Sequence, residues 1–146
     1  PCQSHKLILI AGIPASGKTR YGLHLSEIVE LPFFSKDAFK EHLHGQPEIS
    51  HRYGGAAYEV FYYAARQVMR AGCPLILESN FTPQSADVLK PIIESFGYEG
   101  FTFLFDANLK CCTGGSWSVN VDTTDFGRVD YEALDRLAKE FLQSGA

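Results

Sequence analysis

Residues 12 to 19 read Gly-Ile-Pro-Ala-Ser-Gly-Lys-Thr and fit the pattern G-x-x-x-x-G-K-[ST]. The residues before them, Lys6 to Ala11, form a short apolar run that is typical of a strand buried in a parallel sheet. From Gly17 to about Glu30, apolar residues recur at mostly helical spacing, and Pro32 ends that pattern. A loop between a buried strand and a helix can direct several backbone amides at one anion. This stretch therefore predicts a phosphate-binding loop.

The residue types of this loop suit the binding of a polyphosphate. Glycine lets the backbone turn so that successive N–H groups face one concavity, Lys18 can reach the β- and γ-phosphates, and the Thr19 hydroxyl can bind Mg²⁺. We therefore expect ATP and Mg²⁺ to bind here. The expected nucleotide contacts are Gly12, Pro14, Ala15, Ser16, Gly17, Lys18 and Thr19. The alternative is a degenerate loop that folds but no longer supports hydrolysis or transfer.

Strand-like and helix-like segments alternate through the rest of the chain. Strands are expected at 31–35, 74–77, 101–105 and 116–121, helices at 35–45, 56–71, 89–96 and 131–142, and a polar surface loop at 46–55. The alternation predicts a three-layer α/β protein, and together with the loop pattern at residues 12–19 it predicts the P-loop NTPase fold. We expect a parallel five-stranded sheet in the order 2-3-1-4-5 with right-handed crossovers. The 146 residues, 45% of them hydrophobic, suggest a single domain over residues 1–146.

Composition argues against several classes of partner. The formal net charge of −4 does not favour a nucleic-acid backbone or an anionic membrane as the main partner. The four cysteines, Cys2, Cys73, Cys111 and Cys112, form no C-x-x-C pair, so we interpret them as reduced thiols of a cytoplasmic protein. No apolar stretch approaches the roughly 18 residues of a membrane span, and no secretory signal is evident.

The helix after the second strand carries two candidates for chemistry on an acceptor. In a parallel sheet, Asp37 should lie at the same edge as the phosphate-binding loop, where it could act as general base toward an acceptor hydroxyl. Lys40 follows on the same side of the helix at i+3 and could hold an anionic group or the transferring phosphoryl. The alternatives are a carboxylate that stabilises the helix N-terminus and a solvated surface lysine.

Glu78 is the candidate for a second metal-binding residue. It ends the third strand in the sequence Glu78-Ser79-Asn80, which lies beside the phosphate-binding loop if that strand neighbours the first. Its carboxylate could then orient Mg²⁺ through water. Alternatively, Glu78 and Asn80 bond the backbone of the following turn.

With these residues in view, the chain resembles the P-loop kinases that include zeta-toxin-like, chloramphenicol phosphotransferase-like and polynucleotide-kinase-like proteins, often described as AAA-type ATP-binding kinases. The resemblance covers nearly the whole chain and is carried by LILIAGIPASGKT at 7–19, FFSKDAFKEHL at 33–43, GCPLILESNF at 72–81 and VDTTDF at 121–126. It implies that Asp37 is the base and that Lys40 contacts substrate, where arginine is common. It also implies that Asp122 and Thr124 lie in a loop near the adenine.

The chain departs from this family in one segment. The resemblance implies a lid helix with arginines between the fourth and fifth strands, but residues 106–120 contain Lys110 as their single basic residue. An abrupt change of composition at 110–115 leads to the hypothesis that a lid segment is missing there. Without a lid, γ-phosphate charge would be neutralised mainly by Lys18 and Mg²⁺, and transfer would be slow.

The resulting expectation is transfer of the γ-phosphoryl of ATP to a hydroxyl of a small molecule. One alternative is a module that binds or hydrolyses ATP without phosphorylating an acceptor. Another is a 5′-hydroxyl nucleic-acid kinase, which would need a basic or aromatic track. The candidates for such a track are His42, His44, His51, Arg52 and Tyr53, although a histidine-rich loop is more often simply solvated.

Overall fold

The computed structural model describes residues 4–44, 54–105, 117–123 and 125–145. Within these ranges lie five strands and five helices, with two helices in succession after the second strand and a short 3-10 helix at Phe126–Arg128 before the last helix. The strands are β1 (Lys6–Gly12), β2 (Phe33–Ser35), β3 (Leu75–Glu78), β4 (Glu99–Phe105) and β5 (Trp117–Val121). The helices are α1 (Lys18–Val29), α2 (Lys36–His44), α3 (Gly54–Arg70), α4 (Pro83–Ser95) and α5 (Tyr131–Gln143).

The sheet is parallel, and its strand order β2-β3-β1-β4-β5 confirms the predicted order. β1 lies at the centre, between β3 and β4, because all seven of its residues are buried and it therefore needs neighbours on both edges. The register pairs Glu78 with Ile10 on one side and with Ser35 on the other. The carboxyl ends of β1, β2 and β3 therefore meet at one edge, where the phosphate-binding loop begins.

Two apolar clusters, one on each face of the sheet, make the fold three-layered. Alternate residues of β1 point to opposite faces, so Leu7 and Leu9 join one cluster while Ile8 and Ile10 join the other. The first cluster includes residues of α3 and α4, and the second includes residues of α1 and α5. α1 and α5 therefore lie on the same face of the sheet, and the two helices contact each other.

The structure moves some predicted boundaries for local reasons. α4 begins at Pro83 rather than near Leu89, because Thr82 caps it: the Thr82 hydroxyl accepts a hydrogen bond from Ser85 N at 3.3 Å, and proline suits the first turn. The apolar spacing revealed only the second half of this helix. β2 is limited to three residues after Pro32, whose nitrogen cannot donate a ladder hydrogen bond.

Two of the predicted segments lie partly or wholly outside the described residues. Residues 46–53 of the predicted surface loop lie outside them, and α3 already begins at Gly54, within the predicted loop. The proposed lid deletion at 110–115 also lies outside the described residues. None of the helices in the described ranges is long and apolar enough to cross a membrane.

Candidate active site

The loop between β1 and α1 takes backbone conformations that form a concave anion site. Gly12 has a φ of 147°, and a Cβ there would lie 2.1 Å from the Phe105 carbonyl oxygen, so only glycine fits. Ala15 and Gly17 also have positive φ, at 60° and 87°. Left-handed residues alternating with right-handed ones turn successive amides toward one point. Gly17 caps α1 without a side-chain hydrogen bond, which leaves the first amides of the helix for a ligand.

Lys18 is a buried cation held by its own loop. Its Nζ donates a hydrogen bond to the carbonyl of Ile13 at 2.5 Å, and the Ser16 hydroxyl donates to the same carbonyl at 2.8 Å. Burial lowers the pKa of Lys18 below its ordinary value, while the charges of Glu78 and Asp37 partly raise it again. The ammonium is therefore incompletely compensated, and a polyphosphate would stabilise its charged form.

Glu78 joins the phosphate-binding loop to β2. Its side chain is buried at the end of β3, and its Oε2 accepts hydrogen bonds from the Thr19 hydroxyl at 3.2 Å and the Ser35 hydroxyl at 2.6 Å. The strand register brings these three residues together, because Ser35 pairs with Glu78 and β3 pairs with β1. A hydroxyl and a carboxylate oxygen next to a triphosphate site are ligands that suit Mg²⁺.

Asp37 lies in the first turn of α2 and forms an ion pair with the preceding residue, Lys36. Lys36 Nζ lies 2.7 Å from Asp37 Oδ1, and the lysine side chain is 10% exposed whereas the aspartate is 56% exposed. The same ammonium lies 5.0 Å from the ring centroid of Tyr58 on α3, and the Tyr58 hydroxyl hydrogen bonds Ser79 at 3.2 Å. Asp37 is thus paired with the buried ammonium of Lys36, while most of its own side chain remains exposed to solvent.

A cavity of about 840 Å³ connects these groups. Its lining contains Lys18, Thr19, Asp37 and Glu78, so residues from α1, α2 and β3 border one space with the loop that follows β1. The remaining lining residues are Pro14, Ala15, Ser16, Gly17, Arg20, Tyr21, His24, Gly127 and Tyr131. The volume lies in the range of cavities that enclose a ligand of nucleotide size.

Four residues singled out from the sequence do not border this cavity or lie outside the described residues. Gly12, the last residue of β1, is absent from the cavity lining, which begins at Pro14. Lys40 is half-buried on α2 and is absent from the cavity lining. Asp122 is exposed just after β5 and is likewise absent from the lining, whereas Gly127 and Tyr131 contribute to it. Thr124 lies outside the described residues. The roles of all four stay predictions.

Several residues of the site escaped the reasoning from sequence. Lys36 reads as one more charge beside Asp37, and its burial depends on Tyr58, which arrives from a different helix. His24 and Tyr131 read as parts of two amphipathic helices, and only the packing of α1 against α5 brings them together. The helical spacing of Arg20 and His24, four residues apart on the helix that follows the loop, is the one signal that could have pointed to this wall.

The parallel sheet in the order 2-3-1-4-5, with a phosphate-binding loop between β1 and α1, defines the α/β fold of the P-loop kinases. No protein-family model matches the sequence, and no curated protein matches it. Solved structures do match. A "putative kinase" from Chloroflexus aurantiacus is similar over 100% of both chains, with a TM-score of 0.87 and 26% identity.

Two structures of kinases with named substrates share the fold at lower identity. A gluconokinase from Sinorhizobium meliloti has a TM-score of 0.62 at 15% identity and covers 95% of each chain. A shikimate kinase from Aquifex aeolicus has a TM-score of 0.60 at 15% identity, over 93% of this chain and 95% of its own. At such identities the likeness establishes the fold alone. The narrower resemblance to zeta-toxin-like and chloramphenicol phosphotransferase-like proteins finds no match among these structures.

Proposed function

We propose that this protein is a kinase that transfers the γ-phosphoryl of ATP to a hydroxyl of a small molecule. The observation that carries the proposal is that three features border one cavity. They are the phosphate-binding loop with Lys18, the hydrogen-bonded pair of Thr19 and Glu78, and the solvent-exposed carboxylate of Asp37. The kinase neighbours support the reaction class.

Thr19 and Glu78 fit a magnesium site. Their oxygens lie 3.2 Å apart at the mouth of the phosphate-binding loop, and the carboxylate is buried, so it gains from a cation. We assign the Thr19 hydroxyl as a direct ligand and Glu78 as an outer group that acts through water. Bound Mg²⁺ would neutralise charge on the β- and γ-phosphate oxygens.

The residues of the chain would contribute position and charge. Lys18 would leave the Ile13 carbonyl and bind the β- and γ-phosphates, where negative charge gathers during transfer. Asp37 would accept the proton of the acceptor hydroxyl as the new O–P bond forms, while the bond between the γ-phosphorus and the β–γ bridging oxygen breaks and ADP leaves. Lys40, farther along α2, would contact the acceptor.

The direct test is phosphoryl transfer from γ-labelled ATP to a panel of sugar, polyol, hydroxy-acid, nucleoside and aminoglycoside acceptors. Removal of a general base lowers kcat by about 10²- to 10⁴-fold, so Asp37→Asn should abolish most transfer to any acceptor found while ATP still binds. Asp87→Asn, an exposed change on α4, is the matched control and should leave transfer intact. Equal transfer by the Asp37 variant would refute its assignment as base.

A second candidate function is a nucleotide-binding module that transfers nothing. The Lys36–Asp37 ion pair favours it, because that pair engages the carboxylate that would otherwise accept a proton. A module of this kind would bind ATP, phosphorylate no acceptor in the panel, and keep the same ATP turnover after Asp37→Asn. Transfer that depends on Asp37 would dismiss it.

A further inference from the structure

The cavity extends from the phosphate-binding loop along α1 toward α5. β2 and β3, with Asp37 and Glu78, lie on one side of β1, whereas β4 and β5 lie on the other. The residues that border the cavity on the α5 side are His24, Gly127 and Tyr131. His24 stands five residues beyond Thr19, which is about 7 Å along a helix. This wall therefore lies beyond the phosphate-binding loop and away from Asp37.

His24 is oriented by a carboxylate from the neighbouring helix. Its Nε2 lies 2.7 Å from Oδ2 of Asp135 on α5. The other oxygen of that carboxylate accepts a hydrogen bond from the Tyr21 hydroxyl at 3.3 Å. Asp135 is 14% exposed at its side chain, whereas His24 is 45% exposed. The imidazole is thus fixed at one nitrogen by a largely buried acceptor and remains accessible from the cavity.

This arrangement determines which kind of ligand group His24 can bind. A carboxylate only accepts hydrogen bonds, so Nε2 must carry the proton that it shares with Asp135. In a neutral imidazole, Nδ1 is then an acceptor. Within the described part of the chain, Nδ1 has no hydrogen-bond partner. With the imidazole neutral, the cavity wall consequently offers a fixed acceptor. The centroid of the Tyr21 ring lies 6.2 Å from that of His24 and 5.9 Å from that of Tyr131.

We propose that His24 is a nucleotide-specificity residue whose Nδ1 accepts a hydrogen bond from an O–H or N–H group of the nucleoside. Asp135 is the positioning residue that holds the tautomer. The inference rests on the proposed nucleotide site. It adds to that site the part that contacts the nucleoside and so distinguishes a nucleoside triphosphate from a bare polyphosphate. Two groups share the required chemistry, a ribose hydroxyl and an exocyclic amine of the base, and the experiment separates them.

Four probes, each with Mg²⁺, are titrated calorimetrically into the wild-type protein and its variants: ATP, 2′,3′-dideoxy-ATP, ITP and inorganic tripolyphosphate. His24→Phe keeps an aromatic ring but removes the acceptor. It should weaken the binding of ATP about fivefold, which is the effect of one neutral hydrogen bond, and leave the dissociation constant of tripolyphosphate unchanged. The variant should also lose one preference that the wild-type protein shows. Loss of the preference for ATP over dideoxy-ATP identifies a ribose hydroxyl as the bound group, and loss of the preference for ATP over ITP identifies the amine.

Two further variants separate orientation from packing. Asp135→Asn should also weaken the binding of ATP but not that of tripolyphosphate, because an amide can donate a hydrogen bond to Nε2 of His24 and so reverse the tautomer. His24→Gln retains a carbonyl acceptor and should recover part of the affinity. The matched control is His5→Phe, at the opposite end of β1 in edge contact with Tyr98, which should leave all four dissociation constants unchanged.

The outcomes separate this inference from the proposed function. Wild-type affinity of His24→Phe for ATP, or equal losses for ATP and tripolyphosphate, would overturn the role of His24. A wild-type protein that binds ATP no better than tripolyphosphate would overturn it too, while leaving the phosphate-binding loop intact. Failure to find an acceptor would count against the kinase alone, and failure to bind any probe would defeat both.

Discussion

At the scale of single residues, the conflict at Lys18 is the central physical feature. The site needs a cation to bind phosphate, yet burial removes the water that stabilises an ammonium. The Ile13 carbonyl and the charges of Glu78 and Asp37 compensate in part, while the charge of Lys36 acts against Lys18. The pKa of Lys18 is lowered as a result. A triphosphate supplies the missing negative charge.

This conflict predicts opposite effects of alkaline pH on stability and binding. Because the folded pKa of Lys18 is below its unfolded value, the unfolded chain binds more protons there, and this group's contribution to the free energy of unfolding rises with pH. ATP raises the pKa again, so binding should take up a proton and weaken as pH rises. Calorimetry in two buffers of different ionisation enthalpy measures the uptake. Lys18→Met should abolish it, and a dissociation constant independent of alkaline pH would contradict the assignment.

At the scale of elements, the site depends on where helices begin. α1 begins at Lys18, directly after its cap residue Gly17 in the phosphate-binding loop, and α2 begins with Lys36 and Asp37 directly after β2. α5 begins beside the cavity with Tyr131, after the cap residue Asp130. Each start brings a polar or aromatic side chain to the same edge of the sheet. A parallel sheet produces this convergence, since all its strands end there.

The cap of α5 offers a test at this scale. Asp130 Oδ1 accepts a hydrogen bond from Ala133 N at 3.0 Å, so Asp130→Ala should lower the free energy of unfolding by about 1 kcal/mol. The first turn would fray, and ATP affinity should fall a few-fold because Tyr131 lies there. Thr82→Ala removes the equivalent cap of α4, whose residues do not border the cavity within the described chain. It should cost similar stability, measured by urea unfolding, without changing ATP affinity. Equal affinity losses in the two variants would contradict this account.

At the scale of the whole molecule, the nucleotide should act as a clamp on the sheet edge. The cavity is bordered by the loop after β1 and by residues of α1, α2, β3 and α5, so a ligand within it would contact elements on both sides of the central strand. A ligand that binds only the folded state stabilises it by mass action.

Saturation with MgATP should therefore raise the melting temperature. At a ligand concentration 100-fold above Kd the gain is about 2.7 kcal/mol, which corresponds to several degrees for a chain of this size. Differential scanning fluorimetry measures it. Removal of Mg²⁺ with EDTA should reduce the shift, and Lys18→Met should nearly eliminate it. An undiminished shift in the lysine variant would place ATP elsewhere.

Much of the fold and part of the site were predictable from local pattern. The buried run before Gly12, the loop spacing up to Thr19 and the alternation of apolar segments are local properties, and they led to the correct layers and strand order. The start of α4 was missed because its first turn depends on a cap at Thr82 and not on apolar spacing.

Local patterns were therefore enough to predict the loop at residues 12–19, the parallel α/β sheet and an acidic residue at the end of β3. Three sets of contacts became visible in the folded chain: Glu78 hydrogen bonds Thr19 and Ser35, Lys36 is buried against the ring of Tyr58, and Asp135 pairs with His24. The first group follows from the conformational preferences of neighbouring residues, which a short stretch of sequence encodes. The second group joins residues that are far apart in the chain, and their distances depend on how strands register and helices pack.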